Sequence, residues 1–401
     1  MDQSQSQNQS QQKSPNVNAW WFKTAILSIA LLVQAAPAVA GTLPLMRKTF
    51  SSQPLSAVET LSTVPNLGIM LFVILSSGVA KVIGNKKTVM LGLIIALIGG
   101  MTPIFTDNYT LVLVSRFALG AGIGLFNPLV YTFISYYYSG EELSKMYGYE
   151  NAVANFGSAA LTFLAGFLLA YGWHMAYWIY LVALFCILAF GLVVPNTKKK
   201  STTSSSTKIS TNKSVIGYAI YILMIYAAFY IVIVKLASVL MQKNYGNGST
   251  ASLLISIMTI FGVIASAMYG KIYKALGRFI LPVCLLVMGI AMGVIAWSSN
   301  IWITGIALCV MGGCLILNPY LFQQANTKGP AGANTVSSSF LIMGMNLGCF
   351  LSPIAIDFVS GLFGNTQPDF TLGVAAVILL ILSVVNGFLD MGHHSDKSQS
   401  N

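Results

Sequence analysis

Charged residues are scarce in this sequence: they make up 8% of its 401 residues, whereas 56% are hydrophobic and the mean hydropathy is +0.75. A soluble protein carries roughly a quarter charged residues. A surface so poor in ionic groups would aggregate in water, so the composition excludes a soluble domain and indicates that lipid surrounds most of the chain. The net charge of +11 does not indicate nucleic acid, because the basic residues lie in connectors between apolar runs, where they orient a membrane protein.

Cysteine is also scarce, and the five cysteines form no CxxC pair. All lie in apolar runs, so we interpret them as small buried hydrophobes and not as disulfides or ligands. The sequence has no HExxH motif, no Walker loop and no nucleophile elbow. His393 and His394 lie in a polar tail, where solvation is the simpler interpretation. The sequence therefore predicts no enzyme activity, no metal and no cofactor.

Twelve apolar runs are long enough to cross a bilayer as helices. The first resembles a signal peptide that would end at Ala40, but it follows a Gln/Ser-rich leader and many such runs come after it, so we interpret it as an uncleaved first span. The predicted fold class is an all-α membrane protein with twelve transmembrane helices in two six-helix pseudo-repeats. The expected spans are 20–43, 56–79, 88–106, 109–136, 146–171, 174–194, 214–240, 249–270, 278–298, 300–325, 332–360 and 367–389.

A basic, Ser/Thr-rich connector separates the first six runs from the last six, as a flexible linker would. The expected domains are a disordered tail (1–19), an N-terminal six-helix bundle (20–194), a linker (195–213), a C-terminal six-helix bundle (214–390) and a second tail (391–401). Sixteen of the 21 Lys and Arg residues lie on the side of the termini, and three, Arg47, Lys48 and Lys243, lie opposite. This asymmetry predicts a plasma-membrane protein with both termini in the cytoplasm.

Short stretches recur between the two halves at a nearly constant offset. GLFNPLVY (124–131) is echoed by LILNPYLF (315–322), and NFG (155–157) by NLG (346–348), both at an offset of 191. KVIGNKK (81–87) is echoed by KALGRFI (274–280) at an offset of 193. Three matches in nearly one register indicate that a six-helix unit is encoded twice.

Two stretches carry a resemblance to a known family. In the turn SGVAKVIGNKK, Ala80, Gly84, Lys86 and Lys87 fit the signature between the second and third helices of the Major Facilitator Superfamily, while Ser77 replaces its first Gly and Lys81 its Asp. The second copy keeps Gly270, Gly277 and Arg278 and has Lys274 at the Asp position. RFALGAGIG matches the family's fourth-helix pattern at Arg116, Gly120, Gly122 and Gly124. The resemblance covers essentially the whole chain and implies two bundles that rock about a central cavity, which fits the physics of repeated bundles around one site.

Polar side chains within the spans are the candidates for a substrate or coupling cavity. A buried guanidinium such as Arg116 costs several kcal/mol unless it is paired or faces water. The resemblance implies a role for it near the cavity, and the alternative is that it binds helix-end carbonyls and stiffens the bundle. Asp357 is the carboxylate best placed for proton coupling, or else an interfacial residue, whereas Glu59 is expected at the outer surface. Lys235 either faces the cavity or extends to the interface. The full candidate set is Gln34, Arg116, Asn155, Tyr226, Tyr230, Lys235, Asn346 and Asp357.

A second set of residues is expected to act in conformational change. Gly120 and Gly124 share a helix face with Arg116 and are expected to allow close packing. Pro128 and Pro319 are expected to kink their helices. Because Lys81 replaces the family's aspartate, we hypothesise a charge-reversed cytoplasmic gate in which Lys81 bonds Glu150 when that side is shut. The expected gate residues are Lys81, Gly84, Lys86, Lys87, Glu150, Lys274, Gly277 and Arg278.

The function that the sequence predicts is secondary active transport by alternating access, with proton-coupled export of a drug-like or hydrophobic small molecule. The expected partners are the lipid bilayer, a small-molecule substrate and protons, and the expected state is a monomer. Two alternatives stay open. One is a carrier of a small organic or inorganic anion, because Arg116 and Lys235 would leave the membrane interior net positive. The other is a membrane sensor that transports nothing.

Overall fold

The computed structural model describes residues 19–195, 213–328 and 334–398. Every regular element in these ranges is helical, and twelve spans are present if one bent pair counts as a single span, as the sequence predicted. The spans are α1 (Trp20–Val33 and Ala36–Thr49), α2 (Leu55–Ile83), α3 (Asn85–Ile104), α4 (Tyr109–Tyr137), α5 (Gly140–Tyr171), α6 (Trp173–Val193), α7 (Val215–Gln242), α8 (Gly248–Ala267), α9 (Tyr269–Trp297), α10 (Ile301–Gln324), α11 (Phe340–Leu362) and α12 (Pro368–Gly387).

The ends of the helices differ from the predicted spans by a few residues in most cases. We call the face of the protein at which α1 begins and α2 ends the terminal face, and the opposite face the far face. The predicted tail 1–19 and linker 195–213 lie almost wholly outside the described residues. The helix of α12 itself continues to Ser398, so residues 391–398, which were predicted as a tail, extend that helix.

The first span is the one that departs most from its prediction, because it is broken and runs on to Thr49. Its two halves meet at an angle of 44° after Val33. The second half opens with a 3₁₀ segment, Ala36–Thr42, that carries Pro37 near its start. A proline has no amide hydrogen to donate to the preceding turn, so the α-helix ends before it. At the break, side chains from other spans reach the backbone: Arg116 donates to the carbonyl of Ala36 and Tyr180 to that of Ala35.

The two halves repeat each other in packing. In the N-terminal half, a side chain added to Gly120 of α4 would clash with the carbonyl of Pro65 in α2. In the C-terminal half, a side chain on Gly312 of α10 would clash with the carbonyl of Met258 in α8. These pairs are related by offsets of 192 and 193 residues. Glycine at both positions lets the backbones of the two helices touch.

A second pair of contacts repeats in the same way. Gly157 of α5 packs on the backbone of Leu31 in α1, and Gly348 of α11 packs on the backbone of Leu223 in α7. The offsets are 191 and 192 residues. Two inter-helix contacts in one register confirm the predicted six-helix pseudo-repeat, and Gly120 lies at one such contact.

The signature turn is repeated in its backbone as well. Gly84 and Gly277 both adopt positive φ angles, +90° and +51°. Residues with a side chain rarely adopt these conformations. Gly84 therefore allows α2 to end and α3 to start at the next residue, and Gly277 allows the short helix at the start of α9, Tyr269–Leu276, to end before the main helix of that span begins at Ile280. This explains why both copies of the motif keep a glycine at this position.

The two bundles meet closely at the far face. A Cβ on Gly41 of α1 would lie 2.6 Å from the carbonyl oxygen of Gly248 in α8. A Cβ on Gly166 of α5 would lie 2.6 Å from the Cβ of Ser252 in α8. We call these four residues the glycine contact. Because backbone meets backbone here, the structure is closed at this point of the far face.

Candidate functional site: an ion cluster between the bundles

Three charged side chains from both bundles meet near the far face. The Lys235 Nζ of α7 lies 2.8 Å from Glu59 Oε1 of α2 and 2.8 Å from Asp357 Oδ1 of α11. It also donates to Asp357 Oδ2 at 3.1 Å. We call Glu59, Lys235 and Asp357 the ion cluster. Since Glu59 belongs to the N-terminal bundle and the other two to the C-terminal bundle, the cluster joins the bundles through charge.

The burial of the cluster corrects the prediction for Glu59 and bears on the alternatives stated for Lys235 and Asp357. Glu59 was expected at the outer surface, but only 2% of it is exposed, because α2 packs against α11 and the Glu59 side chain contacts Lys235 of α7. Lys235 is fully buried and therefore does not extend to the interface. Asp357 bonds a side chain and not the backbone. Buried charges of this kind persist only when they are paired.

The cluster holds one more negative than positive group. Lys235 supplies one cation, while Glu59 and Asp357 supply two carboxylates that lie beside each other. Ionised carboxylates only accept hydrogen bonds, so a bond between these two groups needs a proton. Glu59 Oε2 is buried and has no hydrogen-bond partner among the described residues. One bound proton would make the cluster neutral and give that oxygen a role.

The cluster interrupts the repeat. At an offset of 192 residues, the positions of Glu59, Lys235 and Asp357 correspond to Ala251, Leu43 and Ala165. All three of these are buried beside the glycine contact. The two pseudo-symmetric contacts between the bundles therefore differ in chemistry: one is built of charge and the other of small apolar residues. A comparison of the halves for charge, in addition to motifs, would have pointed to Glu59 from the sequence.

Arg116 has its hydrogen-bonding groups engaged by the protein. The side chain is fully buried. Its Nε donates to the carbonyl of Leu61 at 3.0 Å, Nη2 to the carbonyl of Ala36 at 2.7 Å, and Nη1 to the hydroxyl of Tyr180 at 2.8 Å. The guanidinium also lies 5.6 Å from the ring centroids of Tyr177 and Tyr180. In this conformation the geometry matches the structural alternative stated above, in which Arg116 binds backbone carbonyls.

The Leu61 carbonyl is free for a local reason. Pro65 lies inside the α2 helix and cannot donate to Leu61, four residues earlier. Ala36 lies at the break in α1. Arg116 thus closes two backbone defects, in α1 and in α2, with one side chain from α4. A guanidinium suits this because its donors point in several fixed directions.

The aromatic and amide candidates lie mainly in the C-terminal bundle. Tyr226 is buried and donates to Asn318 Oδ1 at 2.5 Å. Tyr230 is buried and lies near Asn66 of α2, so it is part of the contact between bundles. Asn346 is 7% exposed and donates to the carbonyl of Ile342 at 2.9 Å within its own helix. The structure places Tyr226 and Asn346 apart from the ion cluster, on α7 and α11 nearer the terminal face.

The remaining cavity and hinge candidates have local contacts. Gln34 is exposed at the break in α1. Asn155 is partly exposed and donates to the backbone and side-chain oxygens of Asn151. Gly124 packs on the backbone of Ile69 in α2, 2.7 Å from the position of an added Cβ. Pro128 lies inside a continuous α4 helix. Pro319 follows a 3₁₀ segment, Cys314–Ile316, so the change in helix type comes just before it.

The expected gate residues lie near the terminal face. Lys81, Lys87, Lys274 and Arg278 are exposed. Lys86 donates to the carbonyl of Gly191 at 2.7 Å and so anchors the signature turn to α6.

Glu150, by contrast, is buried and pairs with Tyr131. Lys81 takes part in none of the ion pairs formed among the described residues. The structure does bring Lys23 of α1 to Glu142 at the start of α5, a pair that the sequence analysis did not foresee. The Lys81–Glu150 pairing was proposed for a shut cytoplasmic side and stays a prediction.

The structure is that of a multi-pass membrane protein. Its twelve spans form two related bundles, which an ion cluster joins at one face. The family model of the Major Facilitator Superfamily matches residues 25–353. The chain therefore belongs to this family of transporters, as the signature motifs indicated.

Curated relatives are distant in sequence. The quinolone resistance protein NorB of Staphylococcus aureus (strain MRSA252) is 22% identical over 323 residues, which are 79% of this chain and 64% of that protein. NorB of strain Newman is 22% identical over 240 residues, 59% of this chain and 48% of that protein. The chain thus spans less than two thirds of the length of these relatives.

Solved structures share the fold. The nucleoside transporter NupG superposes with a TM-score of 0.75 at 13% identity, over 91% of this chain and 98% of that one. The D-xylose-proton symporter superposes with a TM-score of 0.71 at 14% identity, over 92% and 97%. At these identities the likeness shows the fold alone.

Proposed function

We propose that this protein is a proton-coupled exporter of a drug-like or hydrophobic small molecule, in the plasma membrane, with both termini in the cytoplasm. The observation that carries the proposal is the ion cluster, which lies where the bundles must separate for the far face to open. The relatives named for quinolone resistance support the substrate class and the direction.

The cluster supplies a physical link between a proton and the conformation. With both carboxylates ionised, Glu59 is held against Lys235 across the interface at 2.8 Å, and the far face is closed. A proton on the cluster neutralises the excess charge and weakens the attraction of Glu59 for Lys235. The bundles can then part without exposing an unpaired ion to a low-dielectric interior. A ligand can shift a conformational equilibrium only by such a differential interaction.

The charge balance removes the argument for an anion carrier. Among the described residues the spans hold two buried cations, Arg116 and Lys235, two buried carboxylates, on Glu59 and Glu150, and a partly buried one on Asp357, whose side chain is 13% exposed. The interior is therefore net negative with these groups ionised. Arg116 is also engaged by protein groups, so neither cation is free for an anionic substrate.

The proposal can be tested in proteoliposomes with a quinolone as the probe substrate and a trapped pH-sensitive dye. An exporter coupled to protons moves protons against the direction of quinolone movement when either gradient is imposed. Asp357→Asn is expected to abolish this exchange, while Asp107→Asn, a matched change of an exposed carboxylate in the turn between α3 and α4, leaves it intact. Quinolone movement that ignores the pH gradient would refute the coupling, and a panel of other amphipathic compounds would test the substrate class separately.

A further inference from the structure

A cleft leads from the far face to one member of the ion cluster. Its volume is about 390 Å³. Arg47 and Lys48 of α1 line it at the rim, and Ser238, Met241 and Gln242 of α7 form one wall. Glu59 is the only cluster member among its lining residues, and its side chain is almost wholly buried.

Within the cluster, the two carboxylates are bound unequally. Lys235 contacts both carboxylate oxygens of Asp357: its Nζ lies 2.8 Å from Oδ1 and donates to Oδ2 at 3.1 Å. Glu59 meets Lys235 as an ion pair through Oε1 alone, and neither of its buried oxygens has a hydrogen-bond partner among the described residues. One ammonium can neutralise one carboxylate, and the geometry gives that place to Asp357. Glu59 is the carboxylate that remains in excess.

We propose that Glu59 is the proton-accepting group of the cluster and that this cleft is the path by which protons from the far face reach it. The inference rests on the proposed proton coupling and assigns it a residue and an entrance. A proton on Oε2 gives this oxygen a hydrogen to donate toward Asp357, which converts two adjacent acceptors into a bonded pair. It also removes the charge that ties α2 to Lys235.

The surroundings favour a proton over other ions. The charged groups that face Glu59 are Lys235 and Asp357 from the C-terminal bundle and Arg47 and Lys48 at the rim, and Asp369 lies beside Gln242 at the outer wall. The ammonium of Lys235 already occupies the place between the two carboxylates that a metal cation would take. Sodium or calcium would also need several more oxygen ligands. A proton needs no such set of ligands and can reach a buried carboxylate along water molecules.

The test is infrared difference spectroscopy of the full-length protein in lipid nanodiscs, with no substrate present. A protonated buried carboxyl has a carbonyl stretching band distinct from that of a carboxylate, and the band shifts when its hydrogen is exchanged for deuterium. The wild-type protein is expected to gain this band on acidification and to keep it when sodium replaces potassium. Glu59→Gln is expected to lose the band, and Glu141→Gln, an exposed control, to keep it. Thermal unfolding in detergent shows whether each variant is folded.

The path is tested by blocking it. Ser238→Cys places a thiol in the cleft wall, and Ser299→Cys places one on the far face outside the cleft. After reaction with a bulky, charged thiol reagent, the Ser238→Cys protein is expected to lose the fast phase of deuterium exchange in the carboxyl band, while the Ser299→Cys protein retains it. Equal exchange in both would overturn the path.

A band that survives in Glu59→Gln and disappears in Asp357→Asn would overturn the residue assignment. A band that depends on sodium and not on pH would overturn the choice of ion. Should Glu59→Gln fail to fold, loss of the fast phase in the modified Ser238→Cys protein still tests the path. If the band and its path behave as expected but quinolone movement proves independent of pH, the proposed export function fails while this inference stands.

Discussion

Glu59 Oε1 lies 2.8 Å from Lys235 Nζ, and this pair joins two bundles through side chains that are almost wholly buried. The residues are 176 positions apart in the chain, and neither is repeated in the other half. The pair thus breaks a symmetry that the backbone keeps, and it does so at the place where the halves must separate. This relationship underlies the predictions on stability and conformation below.

Removing the cation alone should destabilise the protein. Lys235→Met leaves two adjacent buried carboxylates without a partner, and loss of one member of a buried ion pair costs about 3–5 kcal/mol. We therefore expect a marked fall in the thermal unfolding temperature in detergent, and loss of transport. Lys243→Met is the control, since Lys243 binds backbone carbonyls at the far face, outside the cluster.

Neutralising the whole cluster should act differently. The triple change Glu59→Gln, Lys235→Met, Asp357→Asn leaves no charge in the ion cluster, and such replacements are often close to neutral for stability. We expect it to unfold at a higher temperature than Lys235→Met and to show no proton coupling. A triple variant that is less stable than the single one would contradict the account of the cluster as a balance of charges.

Small residues at the glycine contact should control opening of the far face. Gly248→Ala would place a methyl group against the Gly41 carbonyl and within 2.6 Å of Leu169 Cδ2. The contact cannot close around it, so we expect the open population to rise. An Asn66→Cys reporter, which lies deeper than the cluster on α2, should then react faster with an impermeant thiol reagent.

The matched control for that experiment is Gly373→Ala in α12, where an added methyl group meets no atom within 4 Å. It should leave the reactivity of the reporter unchanged. If both glycine variants change it alike, the effect is one of general loosening and not of the contact.

Arg116 should be needed for the stability of the fold and not directly for transport. Arg116→Lys keeps the charge but cannot reach the Leu61, Ala36 and Tyr180 acceptors together. Hydrogen bonds to charged groups contribute about 1.5–3 kcal/mol each, so we expect the variant to lose stability by at least that much in thermal unfolding. Tyr180→Phe, which removes one acceptor, should cost less. A lysine variant that is fully stable yet uncoupled would show instead that Arg116 acts in transport.

The gate hypothesis at the terminal face predicts a compensation of charge. Lys81→Glu and Glu150→Lys should each lower transport, and the double reversal should lower it less than the more harmful single change, because the pair is restored. Lys274→Glu serves as the control, because Lys274 takes part in no ion pair among the described residues. A double variant no better than the worse single would disprove the pairing.

Much of the fold could be predicted because its causes are local. Twenty or so consecutive apolar residues must form a helix in lipid, where every backbone group needs an internal partner. Gly84 and Gly277 mark turns because a positive φ excludes most side chains. The repeat, the family and the close packing at Gly120 could be read from the chain for the same reason, since each depends on residues near one another in sequence.

The pairing of charges could not be predicted in this way. Glu59 was placed at the surface because it lies near a helix end, and only the packing of α2 against α11 and the contact with Lys235 of α7 bury it. Arg116 gave the same signal as a cavity residue, and only the break in α1 and the carbonyl freed by Pro65 supply its partners. The sequence by itself determined which segments lie in the membrane, since hydropathy is a property of each segment. The tertiary structure decided which buried charges meet, because the energy of an ion in lipid depends on neighbours that are distant in the chain.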